Sequence, residues 1–304
     1  MKGAIYECTT LEGVKEATEK LDKAVEGPIL FVDGGINKEV KNFKGIYNIN
    51  KGQFCAAVVP HYNLIQHKEY FDAFATALSR LNIKYTAELK TSGHQAFIDF
   101  KFINKNVKFD TLNEEFTTGL RLVNSYNKST GVYVMPRYTR LACTNGMILS
   151  RTEKAVSIKH HTKMMKEIDA FVERRVSELI NTHQDLQLMV SESMKDSIEW
   201  SVACKILHKL FEEEKHKEQV IKKLGISMIT VTDKKTKKKT YSFVWDDEKN
   251  KKKKFTRWEI YNAITSYITH GEQITPFMES SFHKKAEKLL ITPLVKMPLL
   301  KVTI

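Results

Sequence analysis

Four carboxylates in the first half of the chain are candidates for metal-dependent chemistry, namely Asp99, Asp110, Glu114 and Glu115. A nuclease that uses two metal ions needs such carboxylates to converge within a few ångströms. Their spacing follows neither an Asp-x-Asp pattern nor a Glu-x-Lys pattern after Asp-Gly. We therefore predict no catalytic residue and no metal site, and we keep a metal-dependent nuclease as an alternative function.

A pair of adjacent histidines, His160 and His161, is the other group that could bind a metal ion. Neighbouring residues of a strand point to opposite faces, so the two imidazoles do not easily share one ion. No His-x-His or His-Glu-x-x-His sequence accompanies them. Because Lys159 and Lys163 lie beside them, contact with phosphate is the better hypothesis, and Lys159 becomes a candidate nucleic-acid-binding residue.

Two lysine clusters in the last third of the chain could contact phosphates, since ten lysines but only three acidic residues lie between positions 234 and 254. Phosphates neutralised by lysine release condensed counterions, which drives binding. The candidate binding residues are Lys237, Lys238, Lys239, Lys252, Lys253 and Lys254. Trp258 follows the second cluster and could stack on the bases of a single strand. A solvated loop, with the tryptophan in the core of the next helix, is the alternative interpretation.

Arg137 and Arg140 lie three residues apart in a segment that alternates apolar and polar side chains, so they face opposite sides of a strand. Arg140 shares its face with Val132 and Val134, which look like the core side. A lone buried guanidinium is costly, so we expect Arg140 to be paired and structural. Arg137 is then the residue that faces a nucleic acid.

Several common catalytic signatures are missing. The glycine-rich turn at 33–35 is not followed by Gly-Lys-Ser/Thr, and neither a dinucleotide fingerprint nor a nucleophile elbow occurs. The cysteines form no Cys-x-x-Cys pair, which is typical of a reducing cytoplasm. The first residues lack the apolar core of a signal peptide, and no segment is long enough to span a membrane. We expect no cofactor and a location in the cytoplasm of a bacterial or archaeal host cell or in a virion.

The charge of the chain favours a polyanionic partner. The 304 residues carry a formal net charge of +13. Residues 151–304 hold 30 basic and 21 acidic side chains, whereas residues 1–150 hold 19 and 15. Lysine enrichment from an AT-rich genome is the other explanation, but the lysines are clustered as well as frequent.

The segment RLACTNGM at 140–147 resembles a family of phage- and plasmid-encoded proteins, catalogued as domain of unknown function number nine hundred and thirty-two. LVNS at 122–125 precedes this segment and IKHH at 158–161 follows it, as in the family pattern. At 125–128 the chain has SYNK where the family usually has Ser-His-Asp-Gly. The resemblance covers residues 54–290, and it implies a task in the DNA metabolism of a mobile element.

The periodicity predicts an α+β protein, with an antiparallel sheet of hairpins at 29–161 backed by helices. The carboxy-terminal half is predicted to be helical, with an inserted basic β-hairpin at 226–232 and 240–245. Helices are predicted at 10–25, 68–81, 162–179, 192–224, 257–269 and 280–290. We divide the chain into a β-rich core (1–161), a helical continuation (162–225) and a basic carboxy-terminal part (226–304).

These features together favour a nucleic-acid-binding protein of a phage or plasmid. We expect it to bind or anneal single-stranded DNA in recombination or replication and to have no membrane partner, and a homo-oligomer is a candidate assembly. The absence of catalytic motifs makes an enzyme the weaker hypothesis. Besides the nuclease, a virion or assembly protein whose lysines face packaged DNA remains an alternative.

Overall fold

The computed structural model describes residues 5–109, 114–129, 132–140, 146–148, 167–226, 228–232, 239–243, 253–271, 274 and 276–291. In this part of the chain the protein has the predicted α+β class, with antiparallel sheets and helices. The helices are α1 (Leu11–Thr18), α2 (His67–Arg80), α3 (Ile168–Lys195), α4 (Trp200–Leu210), α5 (Glu214–Lys223), α6 (Arg257–His270) and α7 (Pro276–Ile291).

Thirteen strands form four sheets among the described residues. They are β1 (Ile5–Cys8), β2 (Ala24–Asp33), β3 (Ile36–Asn48), β4 (Gln53–Val58), β5 (Tyr85–Ser92), β6 (Gln95–Phe109), β7 (Glu114–Ser125), β8 (Tyr133–Arg140), β9 (Gly146–Ile148), β10 (Ser197–Glu199), β11 (Met228–Thr232), β12 (Lys239–Phe243) and β13 (Lys254–Thr256). The main sheet has six strands in the order β1-β5-β6-β7-β8-β9, and every pairing in it is antiparallel.

One face of the main sheet is apolar, as the alternation in β6 predicts. Ile98, Phe100 and Phe102 point to this face and are buried against α2. The rings of Phe74 and Phe100 stack with their centroids 5.8 Å apart. The same core continues into the carboxy-terminal helices, because one cluster of buried apolar residues runs from Cys8 to Ala286.

The opposite face of the sheet carries a small apolar cluster around Phe97 and, beside it, charged side chains that are nevertheless buried, because α7 covers them. Asp99 Oδ1 accepts a hydrogen bond from Arg121 Nε at 2.5 Å, and Asp99 Oδ2 accepts one from Arg121 Nη2 at 2.6 Å and another from Arg137 Nη1. Arg121 Nη2 also donates to Glu279 of α7 at 2.7 Å. We call these four residues the buried ion network. Two guanidinium groups balance two carboxylates in it, which meets the requirement that buried charges be paired.

The network also fixes the ionisation of its carboxylates. Burial alone raises the pKa of Asp99, but the nearby Arg121 and Arg137 outweigh burial and hold it well below its usual range. The pKa of Glu279 is lowered in the same way, mainly by Arg121 and Lys90 acting against burial. Both side chains therefore stay charged in the folded protein.

The structure differs from the predicted elements at three places. The first helix ends at Thr18 instead of continuing to residue 25, and β2 begins at Ala24. The polar segment Ile36–Asn48 was not predicted as a strand, yet it pairs with β2 on one side and β4 on the other. The helix predicted at 192–224 is interrupted twice. Ser197–Glu199 form β10, which pairs with the distant strand β13 and separates α3 from α4, and residues 211–213 separate α4 from α5.

A smaller sheet projects from the body of the protein. β2 and β3 are joined by a two-residue turn in which Gly34 and Gly35 have φ of 58° and 83°. Positive φ at both positions is the type I′ geometry that matches the twist of a hairpin, and glycine adopts it without strain. Ala24, Ile46, Ala56 and Val58 pack against Tyr126 at the base of this sheet.

The predicted hairpin of the carboxy-terminal part is confirmed, since β11 and β12 pair as antiparallel strands. Thr256 and Glu259 form a capping box at the start of α6, with Glu259 N donating to Thr256 Oγ1 at 3.1 Å and Thr256 N donating to Glu259 Oε2 at 2.7 Å. None of the described helices is long and apolar enough to cross a membrane.

Two buried histidines should make the folded state sensitive to acid. Burial lowers the pKa of His67 and of His283 from 6.5 to about 3, because it removes the hydration of the imidazolium. Below pH 6.5 the unfolded chain therefore binds protons that the folded chain refuses, until the pH falls to about 3. Stability should fall over this window by about 1.4 kcal/mol per pH unit for each histidine.

Urea unfolding between pH 6.5 and 5 measures this slope above the range in which carboxylates of an unfolded chain protonate. His283→Gln should reduce the slope by about 1.4 kcal/mol per pH unit, whatever its effect on stability at neutral pH. The same substitution at His67 should give the same reduction. An unchanged slope in both variants would contradict the neutral, buried state of these imidazoles.

Candidate nucleic-acid interface

Two adjoining cavities lie on the surface between α5 and α6. One has a volume of about 450 Å³ and the other about 300 Å³, and Lys223 and Ser266 line both. We call them together the α5–α6 groove. Its remaining lining residues are Arg140, Lys215, Gln219, Leu224, Phe255, Trp258, Glu259, Asn262, Ala263, Tyr267, His270 and Gly271.

The groove is built from two polar stripes that face each other. On α5, Lys215, Gln219 and Lys223 follow one another at intervals of four residues, while Val220 and Ile221 are buried on the other side. On α6, Asn262, Ser266 and His270 repeat at the same interval. Residues four apart lie on one face of a helix, so each stripe forms a continuous wall. The two helices pack directly against each other and so close the floor of the groove.

The walls of the groove carry mainly positive charge. Lys215 and Lys223 lie on α5, and Arg140 is the last residue of β8. The one carboxylate among the lining residues, Glu259, accepts hydrogen bonds from the backbone N–H and the hydroxyl of Thr256. Lys215 lies 2.6 Å from Glu213, but both side chains are more than half exposed, so the pair is weakly held.

Both ends of the lysine-rich segment meet this groove. The chain leaves α5 through Ile226, which is buried, and returns at Lys253, whose Nζ donates to the carbonyl oxygen of Gly225 at 3.4 Å. Lys254 then opens β13 and is exposed. Lys239 is the first residue of β12. The candidates Lys159, Lys237, Lys238 and Lys252 lie outside the described residues.

The prediction that Arg137 faces a nucleic acid is wrong. Its side chain is 3% exposed and belongs to the buried ion network. The predicted alternation itself is right, because Val134 lies on the apolar face and Arg137 does not. The error arose because α7 covers the second face of the sheet, which the periodicity of one strand cannot reveal. Arg140 is half-buried at the end of β8, where it lines the groove.

The prediction that Trp258 stacks on nucleic-acid bases is also corrected. The indole is 4% exposed, and its ring packs on Tyr261 with the centroids 5.7 Å apart. Only part of its surface reaches the wall of the groove. The first turn of α6 is held by the capping box, and this orientation turns Trp258 into the core.

The acidic candidates do not assemble into a metal site in the described part of the chain. Both oxygens of Asp99 are occupied by arginines, so they are not free to bind a cation. Glu115 is exposed on β7, only the backbone of Glu114 is described, and Asp110 lies outside the described residues. No group of three histidine, cysteine or acidic side chains among the described residues could hold a metal ion.

The sequence analysis does not predict the residues that line the groove. Lys215, Gln219 and Lys223 repeat every four residues in a segment so rich in charge that it resembles an ordinary solvated surface. Asn262 and Ser266 lie in a helix whose other residues are mostly apolar. The interval of four polar residues in both helices is a signal that could have found them, but it does not show that the two helices are neighbours.

The fold and the groove define an α+β protein with a mainly cationic surface cleft and no assembled metal site in its described residues. The chain belongs to the family described as Domain of unknown function (DUF932), whose profile matches residues 55–290. This match covers the main sheet from β5 onwards, the buried ion network and the α5–α6 groove. No curated protein and no solved structure matches the chain.

Because Arg137 is buried and Arg140 is half-buried, their replacement by alanine should lower the free energy of unfolding by different amounts. Arg137→Ala leaves Asp99 and Glu279 buried with one counter-charge fewer, so it should lower the free energy of unfolding by about 3–5 kcal/mol. Arg140→Ala removes a half-buried side chain at the wall of the groove and should cost clearly less. Chemical denaturation of both variants at pH 7 gives the comparison, and equal losses would contradict the structural role of Arg137.

Proposed function

We propose that this protein binds single-stranded nucleic acid and that the sugar-phosphate backbone lies along the α5–α6 groove. The observation that carries the proposal is the pair of adjoining cavities lined by Arg140, Lys215 and Lys223, in which the one carboxylate among the described lining residues is engaged by Thr256. Cations that line a continuous cleft track a phosphate backbone without requiring a cofactor. Amide and hydroxyl groups of Gln219, Asn262 and Ser266 can donate further hydrogen bonds to phosphate oxygens.

The size of the groove supports a single strand over a duplex. Packed helices lie with their axes roughly 8–10 Å apart, so a cleft between them accommodates one backbone but is too narrow for a double helix. A duplex could touch only the rim. The polar walls suit phosphate and sugar, and base stacking on Trp258 is not part of the proposal because the indole is buried.

The lysine clusters extend the same surface. Because the chain leaves the groove after Gly225 and returns to it at Lys253, the hairpin of β11 and β12 is tethered beside the bound strand. Lys253 and Lys254 then add positive charge beside the groove, whereas Lys239 pairs with Thr232 at the turn end of the hairpin. We propose that this binding serves recombination or replication of a phage or plasmid within its host cell.

Loss of the groove lysines should change how salt affects binding. Each phosphate contact contributes roughly 0.7 to the slope of log affinity against log salt on a single strand. The double variant Lys215→Gln/Lys223→Gln should therefore bind an oligonucleotide more weakly and with a slope smaller by about 1.4. Fluorescence anisotropy over a series of salt concentrations measures both quantities.

A matched control removes the same charge at the other edge of the sheet. Lys15 lies on α1, which packs beside β1 and β5, and Lys84 precedes β5, whereas the groove adjoins the end of β8. Both control lysines are exposed. Lys15→Gln/Lys84→Gln should leave the slope nearly unchanged. Equal slopes for the two double variants would mean that the groove makes no phosphate contact.

Binding through lysines requires no metal ion. At matched ionic strength, the affinity for a single strand should be the same with EDTA as with magnesium, and the strand should remain intact. A duplex of the same sequence should bind more weakly. Cleavage that appears only with magnesium would favour a nuclease instead, and tighter binding of the duplex would contradict the groove as the binding surface.

A further inference from the structure

The exposed apolar side chains of this protein are concentrated in one region. Of the twelve large hydrophobic residues that are exposed in the described part of the chain, nine lie between positions 25 and 59, in or beside β2, β3 and β4. Contiguous apolar surface on a folded protein marks an interaction site. The nucleic-acid proposal makes no use of this region.

The end of the β2–β3 hairpin is apolar on both faces. Every residue at positions 30–39 is exposed. Phe31 and Ile36 share one face, since Asp33 pairs with Ile36 and Phe31 lies two residues before Asp33, whereas Leu30 and Val32 share the other. We call positions 30–39 the hairpin tip. A hairpin that packs on the rest of its own chain buries one face. Both faces of the hairpin tip are exposed, so the tip extends away from the body of the protein into solvent.

An apolar cavity of about 480 Å³ lies at the base of the same hairpin. Leu21, Ala24, Val25, Ile49 and Tyr126 form its apolar wall. Acidic and basic side chains surround it, and they are Asp22, Lys23, Lys68, Glu69 and Asp72. A cavity of about 150 Å³ lined by apolar side chains already holds a benzene ring. The base cavity therefore has room for several apolar side chains.

The hairpin tip cannot fill the base cavity of its own chain. Ala24 lines the cavity, and β2 runs from Ala24 to Asp33 at the tip, with an irregularity in its pairing to β3 between Pro28 and Leu30. Ten residues of strand span up to roughly 30 Å, because a strand rises about 3.3 Å per residue. The tip and the cavity are thus held apart by the strand that joins them.

The charge of this region favours a second copy of the chain over a nucleic acid. Residues 24–58 contain four lysines and three acidic residues, although the whole chain has a net charge of +13. Lys38 and Lys44 are already paired with Asp33 and Glu26. Because this sheet is nearly neutral, it repels another copy of the chain less, and attracts phosphate less, than a surface with the average positive charge of the chain would. Charges of both signs at the tip can also face charges of both signs around the cavity.

We propose that the hairpin tip of one copy inserts into the base cavity of a second copy. The two contact surfaces differ, so the contact is head-to-tail and repeats from copy to copy. Such a contact closes into a ring or grows into a filament. It would place successive α5–α6 grooves in a repeating array.

Two substitutions separate the two halves of the contact. Val32→Glu places a charge on the tip, and Ile49→Glu places one at the mouth of the cavity; these side chains are 72% and 53% exposed, so neither change disturbs the core. Leu188→Glu on α3 is the matched control, at 66% exposure. Sedimentation velocity on nuclease-treated protein should show assemblies for the wild type and for the control, and single copies for each of the other two variants.

Mixing the two variants tests the head-to-tail geometry. The Ile49→Glu copy keeps an intact tip and the Val32→Glu copy keeps an intact cavity, so an equimolar mixture should form dimers and nothing larger. A mixture that stays monomeric would mean that an intact tip does not enter an intact cavity, and it would overturn the proposal. Self-association of Ile49→Glu without its partner would mean that two tips pair with each other, and it would overturn the proposal as well. A wild type that stays monomeric at every concentration would also overturn it. Weaker oligonucleotide binding by Val32→Glu in that case would assign the tip to nucleic acid instead.

Discussion

The structure depends on the pairing of charges between the main sheet and α7. A sheet with one apolar and one polar face can leave the polar face in water, but here α7 covers it, and Asp99, Arg121, Arg137 and Glu279 must compensate one another. Removal of one partner from such a network leaves an uncompensated buried charge. The network also determines where α7 lies. Because α7 packs on α6, the α5–α6 groove depends on the same four side chains for the position of one of its walls.

The proposed activities occupy separate surfaces that differ in charge. The groove lies beside the end of β8 and carries Arg140, Lys215 and Lys223, whereas the projecting sheet is nearly neutral and apolar. A strongly basic chain repels further copies of itself through the cationic surface that is proposed to bind phosphate. Self-association through a neutral hairpin avoids this repulsion. A repeating head-to-tail contact would then present many grooves to one strand, which increases avidity without any new contact to phosphate.

The family match includes the groove but not the hairpin tip. Residues 55–290 include the buried ion network and both walls of the groove, whereas the hairpin tip lies before this range. The membership therefore concerns the body of the protein and its groove. The hairpin tip belongs to the part of the chain that precedes the match, although the base cavity draws on both sides of the boundary, through Ala24 and Tyr126. The two proposals rest on different surfaces and can fail independently.

The sequence by itself determined what depends on neighbouring residues. The α+β class, the hairpin around Gly93, the capping box of α6 and the alternation in β6 and β8 follow from local periodicity and turn chemistry. Only the tertiary structure decided which faces are covered. Arg137 is buried because α7 returns from the far end of the chain, β3 is a strand because β2 and β4 flank it, and the groove exists because α5 and α6 pack together. A face of a helix or strand is buried only when another element packs on it. The periodicity of one element shows which of its faces is apolar, but it does not show which other element covers that face.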